Sequence, residues 1–332
     1  MENSKALALI DKYLQRNTFK DRLFEDEVAP DLHSIIVIPC YNEPHIEVCI
    51  KSLFKANMPE KSIDIIVLIN SSEDDNDQIL EENISTVQKL DLLAKEIPST
   101  RIKLLYENVK SLPKKHAGVG LARKIGMDEA LRRFRDIAHP NGQIICLDAD
   151  CTVSENYFEA IQNFTGNAAS IYFEHPPENE AVILYELFLR YYVNALRFAG
   201  YPYAYHTIGS SMMCNAISYA KEGGMNRRKA AEDFYFIHKH IPLEGFSEIN
   251  ECIVYPLARE SDRVPFGTGK AISDYKKDSS RLELSYDLKI FIDLKEFLKN
   301  SVFWNEIKFN ENELIDNYNN WPVSIRSFIS QK

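Results

Sequence analysis

Two aspartates, Asp148 and Asp150, follow the apolar run QIICL and are separated by a single residue. Carboxylates are costly to bury without a partner, so we expect a cation to meet them. On an extended backbone, side chains two residues apart project to the same side, where both carboxylates could share a divalent ion. Hard oxygen ligands suit Mg²⁺ or Mn²⁺. The spacing therefore indicates a metal site, although acid pairs of this kind also arise by chance in a chain with 49 acidic residues.

A second acidic pair, Glu232 and Asp233, lies in AAEDFYF at the start of a helix predicted around 229–240. Acids are favoured in the first turn of any helix, so an ordinary helix start explains this pair equally well. Further along, ARESDRVPFGTGKAI (258–272) places Arg263 close to a Gly-Thr-Gly turn. Glycine-rich backbone with flanking cations can cradle a phosphate, but surface charges around a turn would have the same pattern.

The composition of the chain excludes several classes of function. A length of 332 residues with 45% hydrophobic content is enough for one large core, and a formal net charge of −10 argues against a general nucleic-acid surface. The N-terminal residues lack the pattern of a secretory signal, and no apolar run is long enough to span a bilayer. We therefore expect a cytoplasmic protein with at most peripheral membrane contact, for example through the amphipathic helix predicted at 181–198.

Apolar, β-branched runs alternate with helical patterns in the first half of the chain. Strands are predicted at 34–40, 63–70, 101–107 and 143–148, with helices at 43–57, 76–96 and 117–135. Continuous apolar runs are typical of strands that are covered on both faces, and the alternation predicts an α/β fold with a mainly parallel, doubly wound sheet flanked by helices. Ligands bind such sheets at the carboxyl ends of the strands, where this chain has CYNE, NSSEDD and DAD.

Four segments in this order resemble the motifs of the family 2 glycosyltransferases, which have the GT-A fold. They are VIPCYNE (37–43), ARKIGMDEAL (122–131), CLDADCTVSENYF (146–158) and EGGMNRRKAAEDFYFIHK (222–239). The resemblance predicts a GT-A domain over 34–280, with a nucleotide-binding half at 34–160 and an acceptor half at 161–280. The flanking residues 1–33 and 281–332 are predicted to form helical additions at the two ends.

The resemblance implies a nucleotide-diphosphate sugar as donor and Mn²⁺ or Mg²⁺ as cofactor. Asp150 would be the main metal ligand, and Asp148 would contact the ribose or bind the ion through water. The positions that match the nucleotide site are Pro39, Tyr41, Glu43 and Arg123. Without the resemblance, Tyr41 would be interpreted as a packing aromatic and Arg123 as a solvated helix charge.

The implied reaction is a single displacement with inversion. Asp233 matches the general base that takes the proton of the acceptor hydroxyl, and Glu232 matches the acid that precedes it in the family's motif. One position departs from the family pattern: Asn70 in INSSEDD stands where the family usually has an aspartate. Since an amide both accepts and donates hydrogen bonds, uracil remains compatible but the donor base is open.

The acceptor and two alternative functions remain open. The tyrosine-rich segment 195–215 is compatible with a glycan or a lipid-linked acceptor, and it is equally compatible with core packing. A nucleotidyltransferase or pyrophosphorylase would also use a doubly wound fold, but the glycine-rich basic loop typical of that class is missing from PCYNEPH. A binding module without catalysis would not need both acid pairs.

Overall fold

A computed structural model of the chain describes residues 2–177, 179–259 and 267–301, together with Pro322, Val323 and Arg326. The chain forms two compact units, the first made of Met1–Pro176 and Thr207–Leu257 and the second of Pro177–His206 and Ala258–Lys332. The domain boundaries predicted from the sequence stay predictions. None of the helices in the described ranges combines the length and the apolarity needed to cross a bilayer.

The first unit is built on an eight-stranded sheet. Its strands are β1 (Ser34–Cys40), β2 (Ile63–Ser72), β3 (Ile102–Leu112), β4 (Gln143–Cys146), β5 (Cys151–Val153), β6 (Ala168–Phe173), β7 (Met212–Asn215) and β8 (Phe246–Pro256). They lie in the order β3-β2-β1-β4-β7-β6-β8-β5. The parallel pairs are β1 with β2, β1 with β4, β2 with β3, and β6 with β8. The antiparallel pairs are β4 with β7, β6 with β7, and β5 with β8.

The described helices are numbered in chain order. They are α1 (Glu2–Asn17), α2 (Ile46–Lys55), α3 (Asp77–Leu93), α4 (Val119–Asp136), α5 (Tyr157–Asn163), α6 (Glu180–Ala199), α7 (Ala216–Lys221), α8 (Glu232–His240), α9 (Thr268–Lys277), α10 (Ser280–Glu283) and α11 (Leu288–Ser301). Strand and helix alternate through β4, as the sequence pattern predicted. The mainly parallel sheet flanked by helices confirms the expected α/β class.

Every residue of β1 is buried, and α4 packs against this strand. Ile35 and Val37 belong to a core cluster that α4 joins through Met127, and the alternate residues Ile36 and Ile38 are fully buried on the opposite face. Gly126 lets α4 approach the sheet closely, since a Cβ there would lie 2.5 Å from the Val37 side chain. This close packing fixes the position of α4, whose first turn leads into the site described below.

A buried polar cluster ties α1 to α4 and α7. The hydroxyls of Tyr13 and Tyr219 both donate to the same oxygen of Asp128 at 2.8 Å, and Lys124 donates to the Tyr13 hydroxyl at 2.9 Å. Gly224 adopts a left-handed backbone (φ +68°), and a Cβ there would collide with the Tyr13 hydroxyl. The N-terminal helix therefore braces the GGM segment that leads into α8.

In the second unit, α6 packs against α9 and α11. Ala195 and Ala199 contact Phe291 of α11, and Val182 contacts Ile272 of α9. Asn179 caps the start of α6 by accepting a hydrogen bond from the Val182 N–H at 3.0 Å. The helix predicted at 181–198 is confirmed, with observed bounds of Glu180–Ala199.

Candidate active site

The aspartates of the DAD motif lie in a turn at the carboxyl end of β4. The strand ends at Cys146, and the turn is closed by a hydrogen bond from the Cys151 N–H to the Asp148 carbonyl at 3.0 Å. The predicted strand at 143–148 was therefore two residues too long, and the inference that both side chains project from extended backbone was wrong. The Cys49 thiol of α2 also donates to the Asp148 carbonyl, at 3.6 Å.

A buried arginine joins the DAD turn to the second acidic pair. Arg123 lies in the first turns of α4, and its two terminal nitrogens donate to the Asp148 and Glu232 carboxylates. Arg123 and Glu232 are both buried, while the side chain of Asp148 is 35% exposed. Burial alone would lower the pKa of Arg123, but the two carboxylates raise it. The interpretation of Arg123 as a solvated helix charge is wrong, because its charge is enclosed between acids on both sides.

Gly209 makes room for this ion-paired guanidinium. A Cβ at position 209 would lie 2.6 Å from Nη1 and 2.7 Å from Cζ of Arg123, far inside van der Waals contact. No side chain fits there without moving the arginine. The sequence contains no local sign of this requirement, because the two positions are far apart in the chain.

Glu232 and Asp233 form the first turn of α8, after a strained approach. Ala231 adopts a left-handed backbone (φ +59°), which is unfavourable for a residue with a Cβ and is found where surrounding structure enforces it. The Asn226 side chain braces this turn by donating to the Glu232 carbonyl and accepting from the Arg228 N–H, both at 3.0 Å. Gly120 of α4 packs directly against the same turn, since a Cβ there would collide with the Arg228 carbonyl.

Burial sets the protonation of the acidic pair. It raises the pKa of Asp233 above the usual aspartate range, an effect that Arg123 opposes, and it raises the pKa of Glu232 in the same way. Asp233 accepts a hydrogen bond from the Phe234 N–H at 2.7 Å. The start of a helix favours the ionised form of a carboxylate, but burial outweighs that effect at Asp233. Once ionised, a carboxylate with a raised pKa is a stronger base than an ordinary aspartate.

The ends of β1 and β2 are joined by two side chains that the sequence analysis did not single out. Asp75 accepts a hydrogen bond from the Tyr41 hydroxyl at 2.8 Å and another from the Ser72 N–H at 2.6 Å. Asn83, buried in α3, accepts from the Asn42 N–H at 3.2 Å and donates to the Asn70 carbonyl at 3.0 Å. Tyr41 is therefore held by a hydrogen bond and not by packing alone.

The remaining predicted nucleotide-site residues lie along the same sheet edge, with one exception. Pro39 is paired with Leu68 near the carboxyl ends of β1 and β2, and Asn70 is buried at the end of β2. Glu43 is buried in the loop after β1, where it accepts a hydrogen bond from the His45 N–H at 3.2 Å. Arg263 lies outside the described residues.

The donor set of the DAD turn fits a hard divalent ion. Within the described ranges, no three side chains of His, Cys, Asp or Glu come together as a closed metal site. Asp148 and Asp150 offer carboxylate oxygens from a partly exposed turn, and Mg²⁺ or Mn²⁺ is commonly held by one or two carboxylates together with water and substrate phosphates. The two acids are thus suited to an ion that water and the phosphates of a substrate also help to hold.

Three solved structures that are similar to this chain are distant from it in sequence. TarS 1–349 of S. aureus in complex with UDP-GlcNAc shares 13% identity, covers 86% of this chain and 79% of its own, and has a TM-score of 0.47. The mannosyltransferase PcManGT from Pyrobaculum calidifontis in complex with GDP-Man and Mn²⁺ shares 12%, covers 95% and 87%, and has a TM-score of 0.45. Glucosyl-3-phosphoglycerate synthase from Mycobacterium tuberculosis in complex with Mn²⁺, UDP-Glc and phosphoglyceric acid shares 10%, covers 85% of each chain, and has a TM-score of 0.33.

At these identities and TM-scores, the similar structures do not indicate an activity for this chain. The match to a protein family is more specific. No curated protein matches this chain at a significant level. Residues 35–173 match the model of Glycosyl transferase family 2. This range contains the DAD turn, Arg123 and the ends of β1 and β2, so the match covers most of the residues that line the candidate site. This chain is a glycosyltransferase, and its residues 35–173 are the part that is similar to family 2.

Proposed function

We propose that the protein transfers a sugar with inversion from a nucleotide-diphosphate donor to a hydroxyl of a glycan or lipid-linked acceptor. The observation that carries the proposal is the Arg123 bridge between Asp148 and Glu232. It ties the acid that would face the donor to the helix turn that bears the expected base. In this proposal, the two ion pairs of Arg123 hold the donor side and the acceptor side of the reaction together.

Asp150 and Asp148 would hold the divalent ion. When bound, such an ion neutralises the charge that grows on the departing nucleoside diphosphate. On the nucleoside side, Tyr41, Pro39, Glu43 and Asn70 would line the pocket, with Tyr41 oriented by its hydrogen bond to Asp75. The amide of Asn70 is compatible with uracil but does not select it.

Asp233 would act as the general base. Its carboxylate takes the proton of the acceptor hydroxyl while that oxygen attacks the anomeric carbon from the face opposite the diphosphate. The bond from the anomeric carbon to the phosphate oxygen breaks, and its electron pair leaves with the nucleoside diphosphate. Glu232 does not touch the reacting atoms in this scheme. Its ion pair with Arg123 positions the turn that carries Asp233.

We place the reaction in the cytoplasm, with peripheral contact to a membrane as the route to a lipid-linked acceptor. The observation in favour is the outer surface of α6, where Ile183, Leu187 and Phe198 are exposed. Sedimentation with anionic lipid vesicles measures this contact, and loss of co-sedimentation in Leu187→Glu is the expected result. Equal sedimentation of that variant would contradict a role for α6.

A thermal-shift screen tests the donor and metal assignment together. The intact protein is melted with UDP, GDP, CDP, TDP and their sugars, each with and without Mn²⁺, because a ligand that binds the folded state raises the melting temperature. We expect one nucleotide to raise it only when Mn²⁺ is present, and Asp150→Ala to abolish that shift. An equal shift without Mn²⁺, or an unchanged shift in Asp150→Ala, would contradict the metal site.

A further inference from the structure

Two large aromatic side chains lie exposed directly after the expected base. Phe234 and Tyr235 follow Asp233 in the first turns of α8, and they are 41% and 45% exposed. The next two residues, Phe236 and Ile237, are buried in the core and anchor the helix. Burying an aromatic ring is strongly favourable, so a pair left in solvent beside a reaction centre indicates a surface that a ligand covers.

The two rings are held in fixed positions by their neighbours. Their centroids lie 5.4 Å apart with planes at 88°, an edge-to-face arrangement. The Phe234 ring also contacts the His238 ring, with centroids 3.9 Å apart, and the Arg228 guanidinium lies 4.1 Å from the centroid of Tyr235. Rings that are already ordered lose little conformational freedom when a ligand binds.

The surroundings of the rings favour a ligand that is apolar on one side and polar at its edges. Asp233 precedes the rings, and Arg228 and Lys229 lie exposed on the loop that leads into α8. A pyranose ring has this character, since its C–H face can stack on an aromatic ring while its hydroxyls hydrogen-bond to charged groups. An acyl chain has no polar edge, and covering these charges with it would remove them from water without compensation. A small phosphorylated acid has no apolar face to place on the rings.

We propose that Phe234 and Tyr235 form an aromatic platform for a sugar ring of the acceptor, which stacks on one of the two perpendicular rings and contacts the other at its side. The acceptor is then a glycoside whose reacting hydroxyl lies beside Asp233. This inference rests on the proposed function, because it takes Asp233 as the base. It assigns Phe234 and Tyr235 as residues that determine acceptor specificity. They do not contact the donor in this arrangement, so changing them should leave nucleotide binding intact.

Saturation-transfer difference NMR on the full chain tests the platform without knowledge of the natural acceptor. The probes are methyl β-D-glucopyranoside, methyl α-D-mannopyranoside and methyl N-acetyl-β-D-glucosaminide, with hexanoate and glycerol 3-phosphate as the competing chemistries. We expect ring C–H saturation of at least one glycoside, reduced at least fivefold in Phe234→Leu and in Tyr235→Leu and retained in Phe234→Tyr. Phe198→Leu is the matched control, because Phe198 is 48% exposed and has the Lys295 ammonium 4.0 Å from its ring centroid.

The outcomes separate this inference from the proposed function. Saturation of hexanoate or glycerol 3-phosphate with none of the glycosides would overturn the platform, as would unchanged glycoside signals in both leucine variants. The Mn²⁺-dependent nucleotide shift is measured on the same samples. If that shift is present in the wild type and in both leucine variants while glycoside contact is lost only in the variants, both proposals stand. If the wild type has no such shift, the proposed function fails independently of the platform.

Discussion

Replacing Arg123 by glutamine removes the charge that holds Asp148 and Glu232 together. The Glu232 carboxylate then stays buried without a charged partner, because its side chain is only 4% exposed. Breaking a buried pair by removing one partner typically destabilises a protein by about 3–5 kcal/mol. Asp148 adds at most about 1 kcal/mol, since its side chain is 35% exposed and water screens it.

Protonation limits this loss and makes it depend on pH. In Arg123→Gln the pKa of Glu232 should rise further, because burial already raises it and Arg123 is the charge that opposes the rise. An acid whose pKa is raised by folding destabilises the folded state above its unfolded pKa, and the loss is relieved as the pH falls toward that value. Taking an unfolded pKa of about 4.3, protonation costs about 3.7 kcal/mol at pH 7 and about 1 kcal/mol at pH 5. We therefore expect the free energy of unfolding to fall by about 3–4 kcal/mol at pH 7 and by about 1–2 kcal/mol at pH 5.

Urea unfolding followed by circular dichroism at the two pH values measures this difference. Arg22→Gln is the control, because Arg22 pairs with Asp136 at 2.7 Å and both side chains are about one third exposed. That change should lower the free energy of unfolding by less than about 1 kcal/mol at either pH. An equal loss at pH 7 and pH 5 in Arg123→Gln would refute the argument that Glu232 is left as an unpaired buried acid.

Three other substitutions test separate parts of the site. Gly209→Ala should displace the Arg123 guanidinium and lower the free energy of unfolding by about 1–3 kcal/mol. Gly118→Ala is the control, because its Cβ would meet only ordinary contacts at 3.4–3.5 Å, and it should lower that free energy by less than about 1 kcal/mol. Similar losses in the two variants would contradict the close approach of Gly209 to Arg123. Asp233→Asn should keep Mn²⁺-dependent nucleotide binding and reduce the rate of sugar transfer by about 10²–10⁴-fold. The wild-type rate should rise with pH through a value above the usual aspartate pKa, because the base acts in its ionised form. A variant that transfers sugar at the wild-type rate would require another base. Tyr41→Phe removes the hydrogen bond to Asp75 and should weaken nucleotide binding by about 2–12-fold, so unchanged affinity would argue against Tyr41 in the nucleoside pocket.

The parts of the fold that depend on local pattern were predictable. β1 was predicted with its observed bounds, and α4 within two residues, because continuous apolar runs and helical periodicity are written in neighbouring residues. The boundary at the DAD motif was missed, because Asp148–Cys151 close a turn where the apolar pattern suggested a longer strand. That turn, and not strand pleating, sets the direction of the two aspartate side chains.

The parts of the site that depend on distant contacts were not predictable. Arg123 resembles any helix arginine until folding brings it between Asp148 and Glu232. Asn83 has no local sign of its role, since a polar residue in a helix is usually solvated. Only the structure shows that it bridges Asn42, in the loop after β1, and Asn70, near the end of β2. The left-handed backbone of Ala231 is likewise imposed by neighbours and cannot be expected from an alanine before a helix.

The proposed function depends most on the binding of a nucleotide donor by the DAD turn through a divalent ion. Isothermal titration of the wild type and Asp150→Ala with the nucleotide sugar selected by thermal shift, each with and without Mn²⁺, tests it most directly. We expect the wild type to bind only when Mn²⁺ is present, and Asp150→Ala to bind at least tenfold more weakly in its presence. Equal affinity of the two proteins in Mn²⁺, or wild-type binding that is independent of the ion, would contradict it.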